Sequence, residues 1–130
     1  MSKIVITDYG VGNLLSILRA FEHCCDDVML EKNPAAIKDA THLVVPGVGA
    51  FASCVQAMKD HGFEQPIRDH IEAGKPMLGV CVGMQMLFDD SDEFGTHAGL
   101  GVIPGHVTRL PEQGRTGSHK IPNIGWEKLI

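Results

Sequence analysis

A cysteine lies between two glycines in the segment GVCVG, residues 79–83, where a strand-like run gives way to a helical one. The pattern is typical of a nucleophile elbow, a sharp turn between a strand and a helix that holds a reactive side chain exposed. Small residues two positions before and after the nucleophile avoid a clash, and Gly79 and Gly83 occupy those places. Helix amides from Met84 onward are expected to favour the thiolate and an oxyanion beside it. The pattern therefore favours a reactive Cys81, and the alternative is a buried packing role.

Alternating strand-like and helix-like segments lead up to this cysteine without internal repeats. Apolar strands joined by helices predict a doubly wound α/β fold with a mostly parallel sheet, in which ligands bind at the carboxyl ends of the strands. Three glycine-rich turns, GVGN, PGVG and GVCVG, follow such ends. The predicted strands are residues 3–8, 27–31, 42–47 and 77–80, and the predicted helical segments begin near Leu14 and Asn33 and cover about 50–60 and 63–73.

The last third of the chain has a different texture. DDSDEFGTHAG, residues 89–99, is acidic and predicted to be irregular. GLGVIPGHVTRL, residues 99–110, predicts two short strands around a Pro-Gly turn, and residues 111–120 predict an exposed loop. Residues 121–130 are strand-like and stop without a polar terminus, so we expect further C-terminal strands beyond them.

Composition and charge limit the classes of function. The chain has 130 residues, of which 44% are hydrophobic and 21% charged, which predicts one soluble domain. The formal net charge is −5 and no basic block is present, which argues against a nucleic-acid partner. The first apolar run is too short for a signal peptide, and no run approaches the roughly 18 apolar residues of a membrane span. We therefore expect a cytoplasmic protein without a membrane partner.

The other cysteines have simpler interpretations. The four cysteines lack CxxC spacing, so neither disulfides nor a zinc site are predicted. His23, Cys24 and Cys25 are consecutive on a predicted helix and would splay around its axis, so we predict no metal there. Cys54 lies on a later helical segment and is expected to serve packing.

Three segments together carry a family resemblance, PGVGAF at 46–51, GVCVGMQMLF at 79–88 and IPNIGW at 121–126. From about residue 3 to its end the chain resembles the class I (triad) glutamine amidotransferases, and among them the glutaminase subunits of imidazole glycerol phosphate synthase. The resemblance implies a flavodoxin-like fold, hydrolysis of glutamine through a cysteine thioester, and no cofactor. It also implies a partner, the (β/α)8-barrel cyclase subunit that uses the ammonia in histidine biosynthesis.

The resemblance also implies a role for each matching residue. Cys81 would be the nucleophile that attacks the glutamine amide and forms the thioester. Backbone N–H groups of the elbow and of the PGVG turn would stabilise the oxyanion, and a carboxylate would face the substrate's α-ammonium group. The implied residues are Val82, Val48 and Gly49 for the oxyanion hole, and Gly47, Gln85 and Glu93 for substrate binding, with Glu93 as the carboxylate.

Three further residues would lie at the interface with the synthase partner, Asn13, Asn123 and Trp126. For Asn13 the alternative is a plain helix N-cap, and Trp126 would be part core and part interface. Family members often have His in place of Asn123 and Asn in place of Glu127. These departures bear on which pathway the chain serves.

The family's catalytic base and its carboxylate lie in a His-Pro-Glu segment, and this chain has none. Its one His-x-Glu, His70 to Glu72, precedes the elbow on a helix where residues two apart diverge. His97, His106 and His119 are expected in a loop, a turn and a loop without a suitable acidic neighbour, and all seven histidines are expected to be surface or turn residues. We therefore expect residues 1–130 to be a partial type 1 amidotransferase domain with little sustained turnover alone.

Three alternatives remain open from the sequence. A paralogue could supply ammonia for amidation of surface sugars instead of histidine synthesis. A truncated chain could also be a non-catalytic binding module. The third alternative, a cysteine hydrolase or chaperone of the wider elbow superfamily, has no need of a glutamine pocket, so Gln85 and the PGVG turn argue against it.

Overall fold

Four short strands form a parallel sheet in the computed structural model, which describes residues 1–114, 117–118, 120–126 and 128. Their order in the sheet is second, first, third, fourth, and the register places Ile4 beside both Val28 and His42. The predicted α/β fold with a mostly parallel sheet is therefore confirmed. The strands are β1 (Ile4–Thr7), β2 (Val28–Glu31), β3 (His42–Val45) and β4 (Met77–Gly79).

Each crossover between these strands contains a helical segment, as the sequence predicts. Asn13 caps the first helix, because its side-chain oxygen accepts a hydrogen bond from the Ser16 N–H at 3.4 Å. Asn33 caps the second segment in the same way through the Ala35 N–H at 3.1 Å. The crossover segments are α1 (Leu14–Glu22), a 3-10 helix (Pro34–Asp39), α2 (Phe51–Asp60) and α3 (Glu64–Glu72), and α4 (Val82–Gln85) follows β4.

The two central strands, β1 and β3, are buried on both faces, as in a doubly wound fold. Along β1 and β3, alternate residues belong to two separate apolar layers because successive side chains of a strand point to opposite faces. On one face Ile4, Ile6 and Val44 pack against α1. The other face forms the larger layer, which includes Val5, Leu43, Val45, Phe51, Met58, Phe63 and Ile67.

A second small sheet replaces two sequence-based predictions. The acidic segment 89–99 is not irregular, since β5 (Phe88–Ser91) and β6 (His97–Ala98) pair antiparallel there. The Pro-Gly pair does not turn the chain, because a single strand, β7 (Ile103–Val107), runs through it parallel to β5. The register shifts between Phe88 and Asp90, so proline, which has no N–H to donate, lies at the irregularity.

The C-terminal segments also differ from the prediction. The expected loop after residue 110 contains a short hairpin of β8 (Gln113–Gly114) and β9 (Gly117–Ser118). Residues 120–126 form no strand, although the sequence is strand-like there, and positions 127, 129 and 130 lie outside the described residues. Among the described residues, no helix has both the length and the apolar character needed to cross a membrane.

Candidate active site

Cys81 lies in the sharp turn between β4 and α4, with φ 55° and ψ −119°. In the described part of the chain, Phe94 is the only other non-glycine residue with a positive φ. Such a backbone conformation costs on the order of 1–3 kcal/mol and persists where the surrounding structure imposes it. Cys81 is exposed to solvent. The structure therefore has the elbow geometry that the GVCVG pattern predicts, and the residue is not part of the core.

The two flanking glycines allow this turn to pack. A Cβ atom on Gly79 would lie 2.6 Å from the Met84 Cα, and one on Gly83 would overlap the Val45 carbonyl oxygen. Real Cβ atoms do not approach other atoms so closely, so any larger residue would displace the backbone. Gly83 is thus required by the contact between the elbow and β3, and Gly79 by its contact with α4.

The helix after the elbow is shorter than expected and begins earlier, at Val82 instead of Met84. It ends after four residues because the chain turns at Leu87, whose carbonyl accepts hydrogen bonds from the N–H groups of Val102 and Ile103 at 2.8 and 2.9 Å. One helical turn has only a small macrodipole. Individual N–H groups are therefore what the elbow offers to a negative charge.

The PGVG turn, residues 46–49, lies directly against the elbow. The register pairs Val45 with Gly79, and the Val80 N–H donates to the Val45 carbonyl at 2.9 Å. A Cβ on Gly47 would be 2.5 Å from the Gly83 nitrogen. Neighbouring strands β3 and β4 thus deliver the two glycine-rich turns to the same edge of the sheet.

Backbone donors are available on both turns. Among the described residues, the N–H groups of Val82, Val48 and Gly49 have no protein acceptor, whereas the Gly83 N–H donates to the Val80 carbonyl at 2.9 Å. Val48 and Cys81 line one cavity of about 260 Å³. Asn13 lines the same cavity at the start of α1, so this predicted interface residue lies beside the elbow.

The predicted substrate residues Gln85 and Glu93 line a second cleft, of about 460 Å³. The Glu93 carboxylate accepts a hydrogen bond from the Phe51 N–H at 2.7 Å, so it caps α2 and ties this cleft to the PGVG turn. Cys81 lines the first cavity and not this one. The structure thus brings the predicted residues to one edge of the sheet but divides them between two clefts.

The second cleft also contains a cation that the sequence reading missed, Arg109. It follows β7, which is paired to β5, and so it reaches the cleft through the second sheet. The sequence gives no local signal for Arg109, because its position depends on the parallel pairing of β5 and β7, which was not predicted. Arg109 and Glu93 together give the cleft charges of both signs.

Cys54 packs in the core, as the sequence predicts, and it also forms a hydrogen bond. It is fully buried, and its Sγ donates to the Val48 carbonyl at 3.2 Å. Burial raises the pKa of the Cys54 thiol, and the nearby Cys81 and Glu93 raise it further, against the Val48 hydrogen bond. Burial likewise raises the pKa of Tyr9, whose hydroxyl donates to the Pro46 carbonyl.

The two remaining interface candidates, Asn123 and Trp126, are exposed in the extended segment 120–126. The Trp126 side chain is fully exposed and so is not part of the core in this structure. Neither residue lines the clefts beside Cys81 or Gln85.

Two histidines differ from the sequence-based expectation. His106 has an acidic neighbour after all, because β7 pairs with β5 and brings its Nδ1 to 2.6 Å from Asp90 Oδ1. His70 is not a surface residue but is 3% exposed, and its Nε2 donates to the Pro76 carbonyl at 3.0 Å. Within the described ranges, Cys81 forms no hydrogen bond with a histidine, and no three His, Cys, Asp or Glu residues are grouped to hold a metal ion.

Comparison with known families assigns this arrangement to a class of protein. A family model for the CobB/CobQ-like glutamine amidotransferase domain matches residues 8–121. The chain therefore belongs to this glutamine amidotransferase family. Two solved structures share the fold, one described as a glutamine amidotransferase (TM-score 0.67, 21% identity, 81% of this chain and 56% of that chain) and one as a putative peptidase E from Listeria monocytogenes (TM-score 0.61, 14% identity, 78% and 63%).

Curated relatives narrow the class further. The chain is 47% identical to the imidazole glycerol phosphate synthase subunit HisH of Geobacter sulfurreducens over 131 residues, which cover 99% of this chain and 63% of the relative. It is 48% identical to subunit HisH 1 of Legionella pneumophila (strain Lens), with 100% and 62% covered. The chain is a class I glutamine amidotransferase sequence close to the HisH subunits and spans about 62% of their length.

Proposed function

We propose that this chain is the nucleophile-bearing part of a glutaminase subunit of imidazole glycerol phosphate synthase. It hydrolyses glutamine to glutamate and ammonia, and the ammonia passes to a cyclase barrel subunit in histidine biosynthesis. The similarity to HisH relatives supports this assignment over a paralogue that serves surface-sugar amidation. A heterodimer in the cytoplasm, without cofactor, metal, nucleic acid or membrane partner, is part of the proposal.

The strained, exposed backbone at Cys81 carries the proposal. The Cys81 thiolate attacks the side-chain carbonyl carbon of glutamine, and the electron pair of the C=O bond moves to oxygen. Backbone N–H groups of Val82 and of Val48 or Gly49 stabilise that oxyanion, and loss of one such donor typically costs about 10²–10³ in rate. The amide nitrogen of the tetrahedral adduct takes a proton from solvent, the C–N bond breaks as the C=O bond re-forms, and ammonia leaves. A glutamyl thioester remains, which water then hydrolyses to glutamate.

The second cleft suits the amino acid end of the substrate. Glutamine presents an α-ammonium and an α-carboxylate, so a site for it needs charges of both signs. Glu93 supplies the negative charge, Gln85 supplies an amide that can donate and accept, and Gly47 keeps the turn close to the elbow. The substrate side chain would then extend from this cleft to Cys81.

Thioester chemistry needs a base to activate the thiol and later a water molecule. In this proposal residues 1–130 form part of one type 1 amidotransferase domain, and the histidine and glutamate of its triad are not among them. The chain alone can then be acylated but releases the acyl group slowly. Sustained turnover would depend on a histidine supplied from outside these residues.

The test is ammonia release from glutamine by the purified 130-residue chain, combined with detection of the glutamyl thioester after acid quenching. We expect at most about one equivalent of ammonia in a burst, a thioester on Cys81, and slow turnover after the burst. A Cys81→Ser variant should show neither the burst nor the thioester. Steady turnover equal to that of a complete HisH relative would contradict the proposal that the catalytic base lies outside residues 1–130. Absence of any thioester would favour a non-catalytic binding module.

A further inference from the structure

Two buried side chains hold the PGVG turn from beneath. The Tyr9 hydroxyl donates to the Pro46 carbonyl, and the Cys54 thiol donates to the Val48 carbonyl at 3.2 Å. Tyr9 follows β1 and Cys54 lies in α2, so the donors come from two elements that flank the turn. Both donor residues are at most 1% exposed, so neither side chain can exchange its carbonyl partner for bulk water.

The direction of a carbonyl fixes the direction of the next N–H group. In a trans peptide the C=O of one residue and the N–H of the following residue lie in one plane and point in opposite directions. The Pro46 and Val48 carbonyls point toward buried donors, so the N–H groups of Gly47 and Gly49 point away from those donors. The Gly49 N–H has no acceptor among the described residues, and a Cβ on Gly49 would meet nothing within 4 Å. The Gly49 N–H therefore points away from the buried Cys54 donor, and the space beside the Gly49 Cα is open.

Both side chains are in the protonation state that this role requires. Burial raises the pKa of the Tyr9 phenol and of the Cys54 thiol, so each keeps its hydrogen at neutral pH. A neutral thiol is a weak donor, but a fully buried thiol has no water to bond instead, so rotation of the Val48–Gly49 peptide would leave Cys54 without its acceptor. Loss of that hydrogen bond disfavours such a rotation.

We propose that Cys54, assisted by Tyr9, is a positioning residue that sets the orientation of the oxyanion turn and thereby aims the Gly49 N–H at the negative charge formed beside Cys81. The inference rests on the proposed function, because it takes Cys81 as the nucleophile. Neither Cys54 nor Tyr9 touches the substrate in this scheme. Val48, whose carbonyl Cys54 holds, borders the same cavity as Cys81, so the peptide that carries the Gly49 N–H begins at the wall of that cavity.

The test compares two reactions of Cys81 in a chain that carries Cys24→Ser and Cys25→Ser, so that Cys81 is the exposed thiol. Acetylation by p-nitrophenyl acetate passes through an anionic tetrahedral adduct and releases p-nitrophenolate, whereas alkylation by iodoacetamide displaces iodide without an oxyanion. Their rate ratio reports the oxyanion hole and does not depend on glutamine recognition. We expect Cys54→Ala to lower the ratio about tenfold, less than complete loss of a donor, and Cys54→Ser, which keeps a donor, to restore most of it.

Controls separate positioning from general destabilisation. Val55→Ala removes buried volume from the same helix without touching the turn and should leave the ratio unchanged. Tyr9→Phe removes only the hydroxyl and should also lower the ratio. If Cys54→Ala does not fold, Tyr9→Phe tests the proposal in its place. The proposal is wrong if neither substitution changes the ratio, or if both reactions slow equally. A ratio in the parent chain equal to that of free glutathione would overturn the proposed oxyanion hole as well, whereas absence of the glutamyl thioester with an intact ratio would overturn only the proposed function.

Discussion

At the scale of single residues, the backbone strain of the site lies at Cys81. A non-glycine residue at φ 55° and ψ −119° is strained, and the strain is maintained by the contact of Gly79 and Gly83 with neighbouring backbone. A cysteine that only packs in the core does not need this strained backbone conformation. The strain is therefore a property of the site that stability measurements can detect.

Replacing Cys81 should reveal that strain. Glycine adopts positive φ without steric cost, so Cys81→Gly should be more stable than Cys81→Ala by about 1 kcal/mol, even after the entropic cost of a glycine. Urea unfolding followed by circular dichroism measures the difference. Equal stabilities of the two variants would mean that the backbone at position 81 relaxes in solution.

The His106–Asp90 pair predicts a pH effect with a definite sign. The hydrogen bond that His106 donates to Asp90, and then the Asp90 charge, raise the pKa of His106 above its ordinary value. A raised folded-state pKa gives stability that is complete below the unfolded-state value, near 6.5, and that is lost as pH rises through the folded-state value. As pH rises across this window, the urea midpoint of the parent chain should therefore fall relative to the midpoints of Asp90→Asn and His106→Gln. The control His23→Asn changes an exposed histidine and should follow the parent. If the urea midpoints of the parent and the variants change in parallel with pH, the pair contributes nothing to stability, which is common for exposed ion pairs.

At the scale of the elements, two neighbouring strands do most of the positioning. β3 and β4 end side by side, and each continues into a glycine-rich turn at the same edge of the sheet. Gly47 and Gly83 let the two turns approach to a distance that no side chain would permit. The packing of the elbow against the end of β3 is therefore what aligns Cys81 with the backbone donors.

Gly83→Ala tests this contact. The added Cβ would overlap the Val45 carbonyl oxygen, so the elbow must move or β3 must yield, and forced packing of this kind typically costs about 1–3 kcal/mol. Gly125→Ala is the matched control, because a Cβ there would meet nothing within 4 Å. Unfolding free energies should fall for position 83 and stay within about 0.5 kcal/mol of the parent for position 125. If the two variants are equally stable, the elbow does not pack on β3 as described.

Sequence reading succeeds for elements whose signals are local. The apolar runs of β1 to β4, the caps Asn13 and Asn33, and the GVCVG elbow are each encoded within a few residues, and all are found where expected. The second sheet was missed because β5 carries Asp89 and Asp90, and acidic residues ordinarily indicate loops. Their strand conformation comes from pairing with β7, a contact that no local pattern shows.

The candidate site follows the same rule. Cys81 and its glycines were identified from adjacent residues, and Gln85 and Glu93 from a family resemblance. Cys54 was assigned to packing, which its burial in the core confirms, but no sequence pattern indicated its hydrogen bond to the Val48 carbonyl. Arg109 enters its cleft through the pairing of β5 and β7 and had no signal in the sequence.

For the whole molecule, the central claim is that Cys81 is the reactive thiol of a glutamine site. Cys24 is exposed like Cys81 but lies at the end of α1, so it is an internal control for simple accessibility, and Cys54 is buried. The glutamine analogue 6-diazo-5-oxo-L-norleucine carries an electrophilic group where glutamine has its amide. It therefore reports recognition and reactivity together.

The most direct measurement is mass spectrometry of the chain after reaction with this analogue, with a parallel sample treated with iodoacetamide. The account predicts one label, on Cys81, with protection by excess glutamine, while iodoacetamide modifies Cys24 as well. Labelling of Cys24 and Cys81 by the analogue at equal rates, without protection by glutamine, would contradict it.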